Sequence, residues 1–248
     1  MTAARLRNHR NESRHPPPNH KTMSVMKRRK AAAFVRERGL IAIMRGRYAP
    51  DDLRSIADAL ASGGVRIVEV TLGSEGALEG ITALRRHAEG RASGERLLVG
   101  AGTVRTARDV ERALDAGAQF LVSPNFDPES AARAREAGVL HLPGVFTASE
   151  AQRALAAGCR MQKLFPAGHA DPSYLSALRA PLSDIDFVPT GGITPERLGP
   201  FVEAGAAAFG VGSALVADAD PEATVERARR LVDALRAARG ARTPKPAD

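Results

Sequence analysis

The chain has no tryptophan, a single cysteine and only ten aromatic residues, eight Phe and two Tyr, among its 248 residues. A core with so few rings must be built from Ala, Val, Leu and Ile. The lone Cys159 excludes an intrachain disulfide, which fits a reducing cytoplasm. No apolar run approaches the roughly 18 residues that span a bilayer, so no membrane association is expected. The N-terminus also lacks the apolar segment of a secretory signal. Of six histidines, three (His9, His15, His20) fall in the first twenty residues, and His87, His141 and His169 are far apart in sequence. No H-x-H, H-E-x-x-H or C-x-x-C pattern occurs, so neither a protein-bound metal nor a cofactor is expected.

Charge is unevenly placed. The formal net charge is +8, but residues 1–30 alone carry nine basic residues and one acid, leaving 27 of each sign in the rest. The body is therefore neutral, and its charge does not mark it as a nucleic-acid binder. Residues 1–26 have no hydrophobic period and contain Pro16-Pro17-Pro18; they read as a disordered basic leader. An RNA-associated role for this leader is the alternative from a different functional class. Residues 241–248 read as a flexible tail.

From about residue 30 short apolar runs alternate with amphipathic stretches, and one junction recurs. It reads Asp-Ala-Gly-Ala at 115–118, Glu-Ala-Gly-Val at 136–139 and Ala-Ala-Gly-Cys at 156–159, with versions at 61–65 and 203–207. Each predicts a helix ended by a Gly C-cap, followed at once by a strand. Eight strands are predicted, at 40–44, 66–71, 97–101, 119–123, 139–142, 161–165, 186–189 and 207–211, each followed by a helix. Eight βα units over residues 27–240 predict an α/β fold, the (β/α)8 TIM barrel. No G-x-G-x-x-G turn follows the first strand, which disfavours a doubly wound sheet. In a barrel the functional residues lie at the C-terminal strand ends.

Those ends hold the informative residues. Alternation in Ile67-Val68-Glu69-Val70-Thr71 puts the valines towards the helices and Glu69 inside. Lys163, in Met161-Gln162-Lys163-Leu164-Phe165, shares a face with Met161 and Phe165. An interior lysine either pairs with a carboxylate or gives up its proton, and a neutral amine facing a cavity attacks carbonyls. A structural Lys163–Glu69 ion pair would bring the same two residues together. Gly102-Thr103 ends the third strand, as a ligand-contacting turn or simply a tight one. Arg45 ends the first strand, where a guanidinium could clamp an anion or lie in solvent. Ser123-Pro124-Asn125 is a rigid turn. Thr190-Gly191-Gly192 and Gly210-Val211-Gly212-Ser213 follow the last two strands. Paired glycine turns at that place are the usual phosphate site of this fold, beside helix N-termini.

Together these segments resemble the 2-keto-3-deoxy-6-phosphogluconate (KDPG) aldolase family, which includes the 4-hydroxy-2-oxoglutarate (KHG) and phosphogalactonate (KDPGal) aldolases. The resemblance rests on G-L-I-A-I-M-R-G (39–46), G-G-V-R-I-V-E-V-T-L (63–72), V-G-A-G-T-V (99–104), A-G-A-Q-F-L-V-S-P (116–124), K-L-F-P-A (163–167), P-T-G-G-I (189–193) and G-V-G-S (210–213). It implies a metal-free class I aldolase acting on a phosphorylated keto acid to release pyruvate, usually as a homotrimer. It further implies Lys163 as Schiff-base lysine and Glu69 as general acid/base. Thr103 resembles a carboxylate-binding threonine, and Pro124, Phe165 and Thr190 resemble pocket walls. Gly191, Gly192, Gly212 and Ser213 resemble the phosphate cradle. Many KDPG aldolases read E-V-T-L-R where this chain has Gly73. The phosphogalactonate branch lacks that arginine but has one ending its first strand, as Arg45 does here. Another phosphate-binding barrel enzyme, thiamine-phosphate-synthase-like for example, would share the glycine turns without needing Lys163.

Overall fold

The structure is a computed structural model that describes residues 27–91, 96–217 and 220–241. The predicted leader and all but the first residue of the predicted tail lie outside the described residues. The described part is a parallel barrel wrapped by helices. Its strands are β1 (Leu40–Met44), β2 (Ile67–Thr71), β3 (Leu98–Gly102), β4 (Phe120–Val122), β5 (Leu140–Leu142), β6 (Gly144–Val145), β7 (Met161–Leu164), β8 (Asp186–Pro189) and β9 (Phe209–Val211). The helices are α1 (Arg28–Arg38), α2 (Pro50–Ser62), α3 (Ala77–Glu89), α4 (Ala107–Asp115), α5 (Pro128–Glu136), α6 (Ala148–Ala156), α7 (Pro172–Arg179), α8 (Pro195–Glu203) and α9 (Pro221–Ala241).

Two sheets share the barrel, one ordered β5-β4-β3-β2-β1-β9 and the other β6-β7-β8. A parallel bridge from Thr190 to Gly210 joins β8 to β9. At the other junction Lys163 N donates to Pro143 O at 2.9 Å. The predicted fifth strand, 139–142, is β5; beyond it Pro143, which has no N–H, separates β5 from β6, a short strand outside the eight predicted. β5 pairs with β4, and β6 with β7.

Alternation sorts the side chains into two layers. Ile67, Leu98, Phe120, Leu140, Met161 and Val188 form the barrel interior, whereas Val68, Val70, Val99, Leu121 and Phe187 meet the helices. Val68 and Val70 do face outward, leaving Glu69 inside. α1 has no counterpart among the predicted helices. Its Ala31 and Val35 join the interior cluster, so it covers the N-terminal end of the barrel. Its low apolar content, RRKAAAFVRER, hides it directly after the basic leader when only the sequence pattern is read.

The recurring junction is a Schellman motif, with a correction to the expected cap. The cap residues are Ala116, Ala137, Ala157 and Ala204, and the glycine stands one place beyond, in the left-handed region. After α5, Gly138 N donates to Arg135 O and Val139 N to Ala134 O, both at 3.0 Å. The pattern repeats at Gly64, Gly117, Gly158 and Gly205. Each time the residue after the glycine is buried, so the chain enters its strand with backbone and side chain already anchored. Prolines at the first position of α2, α5, α7, α8 and α9 fix the opposite ends.

Gly138 isolates the backbone part of this device. Its φ is +69°, and an added Cβ would meet nothing within 4 Å. Gly138→Ala should destabilise the protein by about 1–2 kcal/mol, the cost of a Cβ in left-handed backbone. Urea unfolding followed by circular dichroism measures this, and an unchanged midpoint would refute it.

Candidate active site

β2 and β7 bring two ionisable side chains into the barrel. Glu69 is 2% exposed and Lys163 6% exposed. Glu69 is in register with Ile43 and Gly100, and Lys163 with Gly144 and Val188. The flanking glycines make the space. A Cβ at Gly102 would collide with Glu69 Oε1, and one at Gly144 would collide with the carbonyl of Pro124. Lys163 Nζ lies 4.4 Å from the centroid of the Phe165 ring, within cation–π range when it is charged.

The electrostatics favour neutral forms. Burial pushes Lys163 below the ordinary lysine range; Glu69 opposes this, while Arg45 adds to it. Burial raises the Glu69 pKa, against the pull of Lys163 and Arg45. Both shifts run towards the neutral forms, an amine and a carboxylic acid. An amine is the form that attacks a carbonyl, and an acid can protonate a departing hydroxyl.

A cavity of about 480 Å³ opens over this pair. Arg45, Lys163, Phe165, Thr190, Gly191, Gly192, Gly212 and Ser213 are all among its lining residues. The sequence therefore named eight residues that the fold gathers around one cavity. Glu69, Thr103 and Pro124 are not among its lining residues. Glu69 is nevertheless close enough to couple electrostatically to Lys163. Pro124 packs its backbone on Gly144, the strand partner of Lys163. Thr103 has φ +58°, the one positive φ outside glycine among the described residues. A β-branched residue there is strained, and such strain concentrates at functional sites.

The glycine turns differ from one another. Gly191 and Gly192 have φ +86° and +71° and lead directly into α8. The second turn does not adjoin a helix N-terminus as expected. Leu215 N and Val216 N fold back to Gly212 O at 2.8 and 2.9 Å, and α9 begins only at Pro221.

Two residues that the sequence did not single out hold these loops. Arg197 donates to Gly192 O at 2.6 Å, Ala167 O at 3.1 Å and Ala170 O at 3.0 Å. It ties the Thr190-Gly191-Gly192 turn to the segment after β7. Ser74 Oγ accepts from Gly46 N at 3.1 Å and bonds Thr71 Oγ1 at 2.8 Å, joining the loops after β1 and β2. Both sit in ordinary polar positions of their segments, and only tertiary contact distinguishes them.

The profile of KDPG and KHG aldolases matches residues 32–228. This chain belongs to that family. The aldolase is 38% identical over 201 residues to the 2-dehydro-3-deoxy-6-phosphogalactonate aldolase of Escherichia coli K12, covering 80% of this chain and 95% of that one. A solved structure described as native KDPGal superposes with a TM-score of 0.75 at 36% identity, over 81% of this chain and 96% of that one. A KDPG aldolase from Legionella pneumophila, solved with pyruvate captured as a covalent carbinolamine, gives a TM-score of 0.66 at 26% identity, over 84% and 97%. The fold is the family's TIM barrel, and the enzyme is an aldehyde-lyase of this class. Among the described residues no helix is long and apolar enough to cross a membrane, and no group of three His, Cys, Asp or Glu could hold a metal ion.

The coupling around Lys163 gives paired expectations of opposite sign. Arg45 lowers the Lys163 pKa, so Arg45→Gln should raise it; Glu69 raises it, so Glu69→Gln should lower it. The pH midpoint for reductive methylation of Lys163, read by peptide mass spectrometry, should move up in the first variant and down in the second. Shifts in one common direction would reject the electrostatic account.

Proposed function

We propose that Lys163 is the Schiff-base nucleophile of an aldolase that cleaves a 2-keto-3-deoxy-6-phosphosugar acid to pyruvate and glyceraldehyde 3-phosphate, with Glu69 as its proton carrier. The observation that carries this is the buried lysine–glutamate pair at a cavity that is also lined by the glycine turns. A cavity that gathers an amine, a guanidinium and glycine turns suits a substrate with a carbonyl, a carboxylate and a phosphate.

The steps follow from the charge state of the pair. The Lys163 amine attacks the C2 ketone, and protonated Glu69 gives its proton to the departing hydroxyl. Water leaves, an iminium forms, and Glu69 becomes a carboxylate. That carboxylate takes the proton of the C4 hydroxyl as the C3–C4 bond breaks, and the bonding electrons pass into the iminium to give an enamine. Glyceraldehyde 3-phosphate departs. Glu69 then returns its proton to C3, and water hydrolyses the resulting iminium to pyruvate and the free amine. One carboxyl group serves every step because each transfer leaves it in the state that the next requires.

Arg45 and Thr103 hold the substrate carboxylate in this scheme. Pro124, Phe165 and Thr190 wall the reacting carbons. The backbone around Gly191, Gly192, Gly212 and Ser213 receives the phosphate. The phosphogalactonate type of substrate is favoured by Arg45, which lines the cavity, and by the absence of an arginine at Gly73. A 4-hydroxy-2-oxoglutarate substrate would leave the glycine turns without a ligand.

Borohydride reduction in the presence of pyruvate should leave a covalent pyruvyl adduct on the Lys163 peptide. Folded protein with no adduct on any lysine would end the Schiff-base reading.

The substrate epimer has its own test. Gly73 is exposed, lies outside the positive-φ region, and has nothing within 4 Å of an added Cβ, so a longer side chain fits. Gly73→Arg should raise kcat/KM for the phosphogluconate epimer relative to the phosphogalactonate one by about tenfold, the worth of one added charged hydrogen bond. An unchanged ratio would remove position 73 from the specificity argument.

A further inference from the structure

A second cavity lies at the opposite end of the barrel, where the two sheets part. β5 pairs with β4 and β7 with β8, and no ladder joins β5 to β7. Their first backbone bond is at Pro143, above the gap. The cavity measures about 560 Å³, within the range of about 300–1,000 Å³ typical of small-molecule sites. Its polar walls are Arg28, Arg29 and Arg36 of α1, His141 of β5, and Arg160 just before β7.

The charge here is lopsided. Arg36 holds Asp186 through two nitrogens at 2.7 and 3.1 Å, and Arg160 Nε reaches the same carboxylate at 4.0 Å. Arg28 donates to the Gly158 carbonyl, and Arg29 makes no ion pair among the described residues. Among the described residues Asp186 is the one carboxylate ion-paired to any of these four guanidinium groups, and Asp127 acts on His141 from farther off. Arginine forks match phosphate oxygens in geometry as well as sign.

Arginines on a surface are ordinarily just solvated, but His141 is not a surface group. It is 4% exposed, lines the same cavity, and has Nδ1 without a hydrogen-bond partner. Its Nε2 lies 2.7 Å from Ser123 Oγ. Buried polar atoms are almost always paired in native proteins, so an unpaired one points to a missing partner. Burial lowers the imidazole pKa to about 4, so the ring is neutral near pH 7. In the tautomer in which Ser123 donates to Nε2, the ring proton sits on Nδ1 and the unpaired atom is a donor; in the other it is an acceptor.

We propose that this cavity binds a small molecule bearing a diphosphate group, its oxygens held by Arg28, Arg29 and Arg160, with His141 Nδ1 as a buried donor. A diphosphate matches the excess of positive charge among the lining residues better than a single phosphate does, and the cavity has room for it. The site is separate from the glycine turns that line the active-site cavity. Met161 lines this cavity and Lys163 the other, two residues along one strand.

The test uses the full chain, with inorganic pyrophosphate and ADP as probes. Titration calorimetry gives affinity, and the ring nitrogen signals of His141 give location. At about 0.1 M salt each probe should shift His141 Nδ1 on binding. A stronger effect of ADP would assign the site to nucleotides, and equal effects would assign it to the diphosphate alone. Arg29→Ala/Arg160→Ala removes two charges without disturbing the core, since Arg29 is exposed and the Arg160 side chain is 63% exposed. That variant should bind at least about tenfold more weakly while still forming the pyruvyl adduct at Lys163. No change at His141, or unchanged affinity in the double variant, would overturn the proposal and place the probe at the glycine turns instead.

Discussion

The structure turns on enclosing an amine and a carboxyl group together inside a hydrocarbon barrel. Lys163 and Glu69 have almost no contact with solvent, and desolvation is the largest influence on both. Such a pair is a poor source of stability, because removing two charges from water costs about as much as their attraction returns. What burial does give is reactivity. An unperturbed lysine, with a pKa near ~10.4, is almost wholly protonated at neutral pH. The interior that makes the charged pair costly makes the free amine accessible, so the same packing that defines the fold also prepares the chemistry.

Small residues make that enclosure possible. The Glu69 carboxyl occupies the space that a Cβ at Gly102 would fill, and the Phe120 ring fills the space beside Gly100. β3 thus carries glycine where its neighbours project a carboxyl group and a ring. The following residue, Thr103, takes a left-handed conformation that glycine would adopt without strain. A threonine in that place presents a hydroxyl that glycine could not supply.

Much of this was legible in the sequence, for identifiable reasons. The repeated Ala-Gly junction marks helix ends because left-handed backbone strongly favours glycine. Alternation in the Ile67–Thr71 strand fixes which way Glu69 points, since side chains on a strand switch faces at every residue. α1 was not legible: its apolar face amounts to little more than Ala31, Val35 and their half-buried neighbours, set among arginines. The two-residue strand β6 beyond Pro143 was not legible either, because it exists only through its pairing with β7. Arg197 and Ser74 act through carbonyls and amides on other loops, and backbone partners leave no trace in side-chain pattern. In the same way, the Gly212–Val216 turn follows its strand as expected, yet its separation from α9 depends on how the intervening chain folds.

The break at Pro143 has consequences at both ends of the barrel. Above it, β6 places Gly144 beside Lys163, and the absence of a side chain lets the Pro124 backbone approach that strand. Below it, β5 and β7 separate and leave His141 facing a gap bordered by arginines. A continuous fifth strand would close the gap by pairing along its length. The barrel accepts the lost backbone bonds because α1 packs Ala31 and Val35 against the interior from beneath. The helix hidden in the basic N-terminal segment thus lets one proline shape the wall around the nucleophile without exposing the core.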